Sequence, residues 1–130
     1  MVQLFFVAAG GAAGAIIRYI LSLFISRLTN HSQVVTGTAV ANAVGSFLAG
    51  LVMGYLTTHP AESADFGLFF SVGFLGSLTT FSTFVLEFRN LLDKSFSHQA
   101  IYLLLQMGGS LLLALIGILA GSVLAGGFHA

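Results

Sequence analysis

The sequence predicts an all-α membrane protein with four transmembrane helices. Of its 130 residues, 57% are hydrophobic and only 6% are charged, and the mean hydropathy is +1.02. The apolar residues form four long runs, and a bilayer core about 30 Å thick needs about 20 helical residues per crossing. A closed β-barrel is excluded because its strands would alternate in polarity over about ten residues, whereas these runs are longer and uniformly apolar.

Polar links set the limits of the four predicted spans. A polar patch follows Leu28, and His59-Pro60 ends the second run because proline lacks the backbone donor that a helix needs. An acidic link precedes the third run and a charged link precedes the fourth. In a single transmembrane domain, the predicted spans cover residues 3–28, 34–58, 66–92 and 98–126.

Glycines spaced by four residues recur in three of the runs. Small residues let helix backbones approach closely where no hydrophobic effect draws helices together. We therefore interpret these glycines as packing surfaces. The pairs are Gly10 with Gly14, Gly50 with Gly54, and Gly117 with Gly121.

The charges exclude several classes of function. Four basic and four acidic side chains cancel, so nothing predicts a nucleic-acid partner. The histidines lie in links or at the end, and the spans hold no Ser/His/Asp set or cofactor fingerprint, so we predict no enzyme. Arg27, Arg89 and Lys94 belong to the first and third links, and the positive-inside rule places those links in the cytoplasm.

Polar side chains inside the spans are the functional candidates, because a polar group in hydrocarbon is costly unless it is bonded or used. Arg18 follows Gly10 and Gly14 at steps of four, and it either stabilises assembly or attracts an anion. Two further stripes with the same spacing either bond helices together or line a polar path. They are Thr38, Asn42 and Ser46 in the second span, and Tyr102, Gln106 and Ser110 in the fourth.

The stretch from Gly76 to Glu87 is the most polar part of any span, with five hydroxyls, two phenyl rings and a carboxylate. We expect a helix break between Gly76 and Thr80, because hydroxyl side chains there can bond their own backbone. A simple kink is the alternative. A break would free carbonyls that suit a small hard cation such as sodium. Beyond it, one helix face would carry Phe81, Phe84 and Phe88, and the neighbouring stripe would carry Thr80, Thr83 and Glu87.

Three motifs, one in each of the first three spans, are specific when they are taken together. The most specific is Gly-Phe-Leu-Gly-Ser-Leu-Thr-Thr-Phe-Ser-Thr-Phe from Gly73 to Phe84. It is preceded by Gly-Thr-Ala-Val-Ala-Asn ending at Asn42 and by Gly-Gly-Ala-Ala-Gly-Ala-Ile-Ile-Arg ending at Arg18. Together these motifs resemble the Fluc fluoride channels, also called CrcB, and the resemblance extends over all four spans.

The resemblance implies passive fluoride export through an antiparallel, dual-topology dimer with two pores in the inner membrane of a microbe. A structural sodium ion would be held by the carbonyls of Gly76 and Thr79. Arg18 and Glu87 match the family's first-helix arginine and its glutamate, whereas Ser77 and Gln106 depart from its usual residues. The residues matched to the fluoride path are Asn42, Thr80, Phe81, Ser82, Thr83, Phe84, Tyr102 and Ser110.

The sequence leaves more than one possibility for the partner chain and for the class of function. A chain that inserts in both orientations should have little bias of basic residues, yet three lie on one side of the membrane and none on the other. The partner is therefore either a second copy or an oppositely oriented paralogue. The alternative function is a small four-helix multidrug-type exporter, but those proteins depend on a glutamate in the first span, where this chain has Arg18 and no acid. A membrane assembly factor would use the polar stripes only to join helices.

Overall fold

The structure, a computed structural model, describes residues 1–30, 32, 34–58 and 64–126. The elements in those ranges are all helical, and four helices are long and apolar enough to cross a membrane. This confirms the predicted all-α membrane class, and the observed bounds differ from the predicted ones by a few residues. The predicted stop at His59-Pro60 lies outside the described residues. The first to fourth spans are Val2–Leu28, Gly37–Thr58, Leu68–Asn90 and Phe96–Leu124.

Hydroxyl side chains set the junction between the first two spans. The Thr29 hydroxyl donates to the Ile25 carbonyl at 2.8 Å, and Asn30 then takes a positive φ of 47° that ends the helix. The second span begins at Gly37 rather than at residue 34, because Thr36 Oγ1 accepts the Ala39 N–H at 3.1 Å. A threonine in this position satisfies one of the free donors of a helix N-terminus.

The third span is broken at Thr79 and Thr80. A π-helical stretch, Leu68–Leu75, leads into one helical turn, Gly76–Leu78. Thr79 then has ψ 151°, and Thr80 has φ −151° and ψ 125°, so two extended residues separate this turn from the helix Phe81–Asn90. The predicted break is confirmed and falls at the end of the expected range; it is not a simple kink.

The fourth span also changes its helical geometry. Regular helix from Phe96 to Leu103 gives way to a π-helical stretch, Leu104–Gly109, before the helix Ser110–Leu124. Short π-helical stretches inside regular helices often accompany functional sites. Here the stretch contains Gln106, which turns out to be buried beside the break.

Glycines bring the spans together in two close pairs, as the sequence predicts. A Cβ added to Gly50 or Gly54 would collide with backbone atoms of the fourth span, and one added to Gly117 or Gly121 would collide with the second. Gly10 and Gly14 fit in the same way against the backbone of the third span. These glycines therefore act in packing, since only hydrogen fits where two helix backbones touch.

A small apolar core lies directly beneath the break. Ala41, Leu75 and Leu78 are buried, and Phe70 and Phe74 pack against them. Ala41 directly precedes Asn42, and Leu78 directly precedes the two extended threonines. The core thus fixes the second span against the broken third span at the point where the polar side chains begin.

Adjacent glycines in the first span provide a test of this packing. Gly10→Ala is expected to destabilise the protein by about 1–3 kcal/mol, because the new methyl group meets the Phe69 carbonyl. Gly11→Ala is the matched control, since its methyl group meets no atom within 4 Å. Thermal unfolding of both variants in detergent measures the difference. Equal melting temperatures would contradict the close approach of the first and third spans.

Candidate functional site

The carboxamide of Asn42 bridges the break in the third span. Asn42 Oδ1 accepts the backbone N–H of Thr80 at 2.8 Å, and Asn42 Nδ2 donates to the Thr80 carbonyl at 3.1 Å. Because the Thr80 N–H can only donate, it fixes which end of the amide faces it. Asn42 therefore replaces the helical acceptor that the Thr80 N–H loses at the break, and it adds a donor to the Thr80 carbonyl.

The break leaves carbonyl groups of the third span without their helical donors. In an unbroken helix the N–H of Thr80 would donate to Gly76, and that of Thr83 would donate to Thr79. Instead, Thr80 donates to Asn42, and Thr83 donates to the Thr80 hydroxyl at 3.3 Å. The carbonyls of Gly76 and Thr79, which are predicted to hold sodium, are among the four from Gly76 to Thr79 that lose their helical donors. Oxygen is the ligand that hard cations prefer. The residues present therefore fit a sodium ion.

A chain of hydrogen bonds runs from the break to the end of the third span. Asn42 Nδ2 also donates to Gln106 Oε1 at 3.3 Å, and Gln106 Nε2 donates to the Tyr102 hydroxyl at 3.3 Å. Tyr102 in turn donates to Glu87 Oε2 at 2.7 Å. Every bond in the chain points toward Glu87, because Thr80 fixes the amide at one end and a carboxylate accepts at the other.

Glu87 is the shared acceptor of three hydroxyl groups. The Thr36 hydroxyl donates to Glu87 Oε2 at 2.7 Å, and the Thr38 hydroxyl donates to Oε1 at 2.6 Å, in addition to Tyr102. Short bonds to an ionised oxygen are stronger than bonds between neutral groups. Sequence reasoning missed Thr36 altogether; its only signal was its position just before a helix, where a capping threonine is common.

Aromatic rings form a cluster beside this chain. Phe84 stacks on Tyr102 with ring centroids 5.8 Å apart and planes 5° from parallel. Phe81 lies 5.5 Å from Phe84, and Phe88 lies 6.5 Å from it. The three phenylalanines thus share one face of the helix beyond the break, as the sequence predicts. Phe81 is 74% exposed, so most of its ring is left uncovered by the described residues.

An open cleft of about 1240 Å³ runs between the second, third and fourth spans. Its wall includes Asn42, Gln106 and both rings of the Phe81 and Phe84 pair. Ser110 also lines it, and its hydroxyl is buried without a hydrogen-bond partner among the described residues. A buried hydroxyl without a partner is unusual in a protein, so Ser110 is a candidate functional residue of the cleft.

The remaining predicted residues lie in different surroundings. The hydroxyls of Ser82 and Thr83 each lie 3.2 Å from that of Thr80, so the hydroxyl-rich segment bonds within itself. Ser77 donates to the Gly11 carbonyl at 2.6 Å and joins the first and third spans. Arg18 is half-buried and makes no hydrogen bond or ion pair with a described residue, so its role stays a prediction.

The fold and the site define a small multi-pass membrane protein with a broken helix beside an open, mostly apolar cleft that contains a few polar side chains. A family model described as CrcB-like protein, Camphor Resistance (CrcB), matches residues 5–118, and the chain belongs to this family. The chain is 40% identical over 120 residues to the fluoride-specific ion channel FluC of Cupriavidus pinatubonensis, covering 92% of this chain and 94% of the relative.

Other relatives give the same picture. The fluoride-specific ion channel FluC of Bordetella avium is 42% identical over 113 residues, which is 86% of each chain. That of Thermotoga maritima is 36% identical over 115 residues, covering 88% of this chain and 91% of the relative. The resemblance inferred from the motifs is confirmed, and these relatives are named as ion channels rather than as enzymes.

The hydroxyl cluster on Glu87 leads to a stability prediction. Glu87→Gln is expected to destabilise the protein by about 1–3 kcal/mol, because it removes the charge that strengthens three short hydrogen bonds. Asp93→Asn removes a carboxylate charge at an exposed link position and serves as the control. Thermal unfolding followed by circular dichroism compares the two. Similar losses in both variants would contradict the structural role of Glu87.

Proposed function

We propose that this protein is a fluoride-selective channel that lets fluoride leave the cell passively and so protects it from fluoride toxicity. The observation that carries the proposal is the Ser110 hydroxyl, buried without a partner in a cleft that Asn42, Phe81 and Phe84 also line. A free donor in such a place suits a small anion. The names of the related channels support fluoride as that anion.

The chemistry of the cleft agrees with a path for fluoride. Fluoride is small and tightly hydrated, so a selective path has to replace its water with close donors. Hydroxyl and amide groups supply such donors, and the positive edges of aromatic rings can also face an anion. The described residues that line the cleft are all uncharged, which favours release, because an ion held too tightly does not pass.

The second copy is part of the proposal. One chain covers its polar groups from one side only, since the cleft is open and Phe81 is 74% exposed. An antiparallel partner, either a second copy or an oppositely oriented paralogue, would close the cleft and give two pores per dimer. A crosslink in the membrane that joins two protomers in opposite orientations would support this arrangement. Fluoride conduction by a monomer would contradict it.

The structural sodium ion is proposed on the carbonyl groups at the break. Gly76 and Thr79 would hold it, because their usual helical donors bond elsewhere. Such an ion would neutralise carbonyl dipoles and hold the broken ends of the third span in place. Exchange of sodium for choline is expected to lower the melting temperature, and an unchanged value would count against the ion.

The test of the function is fluoride efflux from liposomes, followed with a fluoride electrode. The purified protein is expected to release fluoride without chloride, and without a proton or sodium gradient. Equal chloride flux would overturn selectivity for fluoride. Flux that needs a proton gradient would favour the multidrug-type exporter, and no flux at all would favour an assembly factor.

Ser110 allows a sharper prediction for the path itself. Ser110→Ala is expected to slow fluoride efflux about tenfold while leaving the melting temperature unchanged, because the lost hydroxyl makes no bond with any described residue. Ser122→Ala is the matched control in the same span, since that hydroxyl donates to the Leu119 carbonyl of its own helix. Equal efflux from both variants would remove Ser110 from the path.

A further inference from the structure

Gln106 occupies a donor that the proposed path needs. A carboxamide nitrogen carries two N–H groups, and both of those on Asn42 are engaged, one by the Thr80 carbonyl and one by Gln106 Oε1. Gln106 is only 5% exposed and lines the same cleft as Ser110. An anion in this cleft therefore meets Asn42 with its outward N–H already bonded to a neutral oxygen.

The two bonds of the Asn42 nitrogen differ in strength. The bond to Thr80 is 3.1 Å long and is paired with a second, 2.8 Å bond to the same residue, so it is held from both sides. The bond to Gln106 is 3.3 Å long, beyond the usual range for N–H···O contacts. Gln106 is held equally loosely at its other end, 3.3 Å from Tyr102. These two contacts of Gln106 are the longest in the chain of hydrogen bonds.

We propose that Gln106 competes with fluoride for the outward N–H of Asn42 and thereby sets the fluoride concentration at which flux is half-maximal. This proposal rests on the function proposed above. A charged acceptor forms a stronger hydrogen bond than a neutral one, so fluoride displaces the Gln106 oxygen. The displaced Gln106 carboxamide still donates its own N–H to the Tyr102 hydroxyl. When the ion leaves, the Gln106 oxygen returns to Asn42, so the outward N–H of Asn42 always has an acceptor.

Two substitutions at this position separate competition from structural support. Gln106→Met keeps the length of the side chain but removes its acceptor, so it is expected to lower the half-saturating fluoride concentration about two- to tenfold. Gln106→Glu retains the acceptor and strengthens it with a charge, so it is expected to raise that concentration. Leu103→Met, one turn away and outside the cleft lining, is the control and is expected to match the wild type.

The experiment measures initial fluoride efflux from liposomes against internal fluoride concentration, with the amount of folded protein determined by gel filtration. Shifts in opposite directions for Met and Glu support competition. Shifts in the same direction, or lower maximal flux with unchanged half-saturation, overturn it and leave Gln106 as structural support. If Gln106→Met does not fold, the shift in Gln106→Leu, which also lacks the acceptor, decides, because the charge of a glutamate would by itself repel fluoride. A wild-type protein that carries no fluoride refutes the proposed function itself.

Discussion

The pairing of Asn42 with Thr80 is the contact on which the rest of the site depends. Within a bilayer, each backbone N–H and C=O needs a partner, because no water replaces a lost helical bond. Asn42 supplies one acceptor and one donor to the same residue, as a neighbouring β-strand would. The second span also makes room for the break, since a Cβ on Gly45 would collide with the side chain of Thr79. The second span thus supplies both the hydrogen bonds and the space that the break in the third span needs.

This pairing also orients the polar groups that follow it. Once Thr80 fixes the amide of Asn42, the amide of Gln106 has one favourable orientation, and the Tyr102 hydroxyl is left to donate to Glu87. In surroundings of low dielectric such a directed chain is strong when complete and costly when one member is unpaired. The carboxylate can lie at this depth because three hydroxyls share its charge. The Ser110 hydroxyl takes no part in this chain of hydrogen bonds.

Local properties of the sequence were enough to predict much of the fold. Four apolar runs predict four spans, glycines spaced by four predict close helix contacts, and the hydroxyls after Gly76 predict the break. The sequence could not reveal which groups would meet across 38 to 64 positions, as Asn42 does with Thr80 and Gln106. Those pairings depend on how helices are rotated against each other. Glu87 had no predicted partner for the same reason, because Thr36 and Thr38 lie about 50 positions earlier.

The π-helical stretch from Leu104 to Gly109 has a consequence for how this chain tolerates changes in length. A step of four residues overshoots a full turn of a regular helix, whereas the wider turns of a π-helix make the same step fall short. Because both geometries occur between Tyr102 and Ser110, the two errors offset each other and the polar residues stay in one line. Deleting a single residue there would restore an ordinary helix and leave Ser110 on nearly the same side as Tyr102, because the wide turns take up about one residue. The fourth span thus holds one residue more than an ordinary helix would need to carry the same polar stripe.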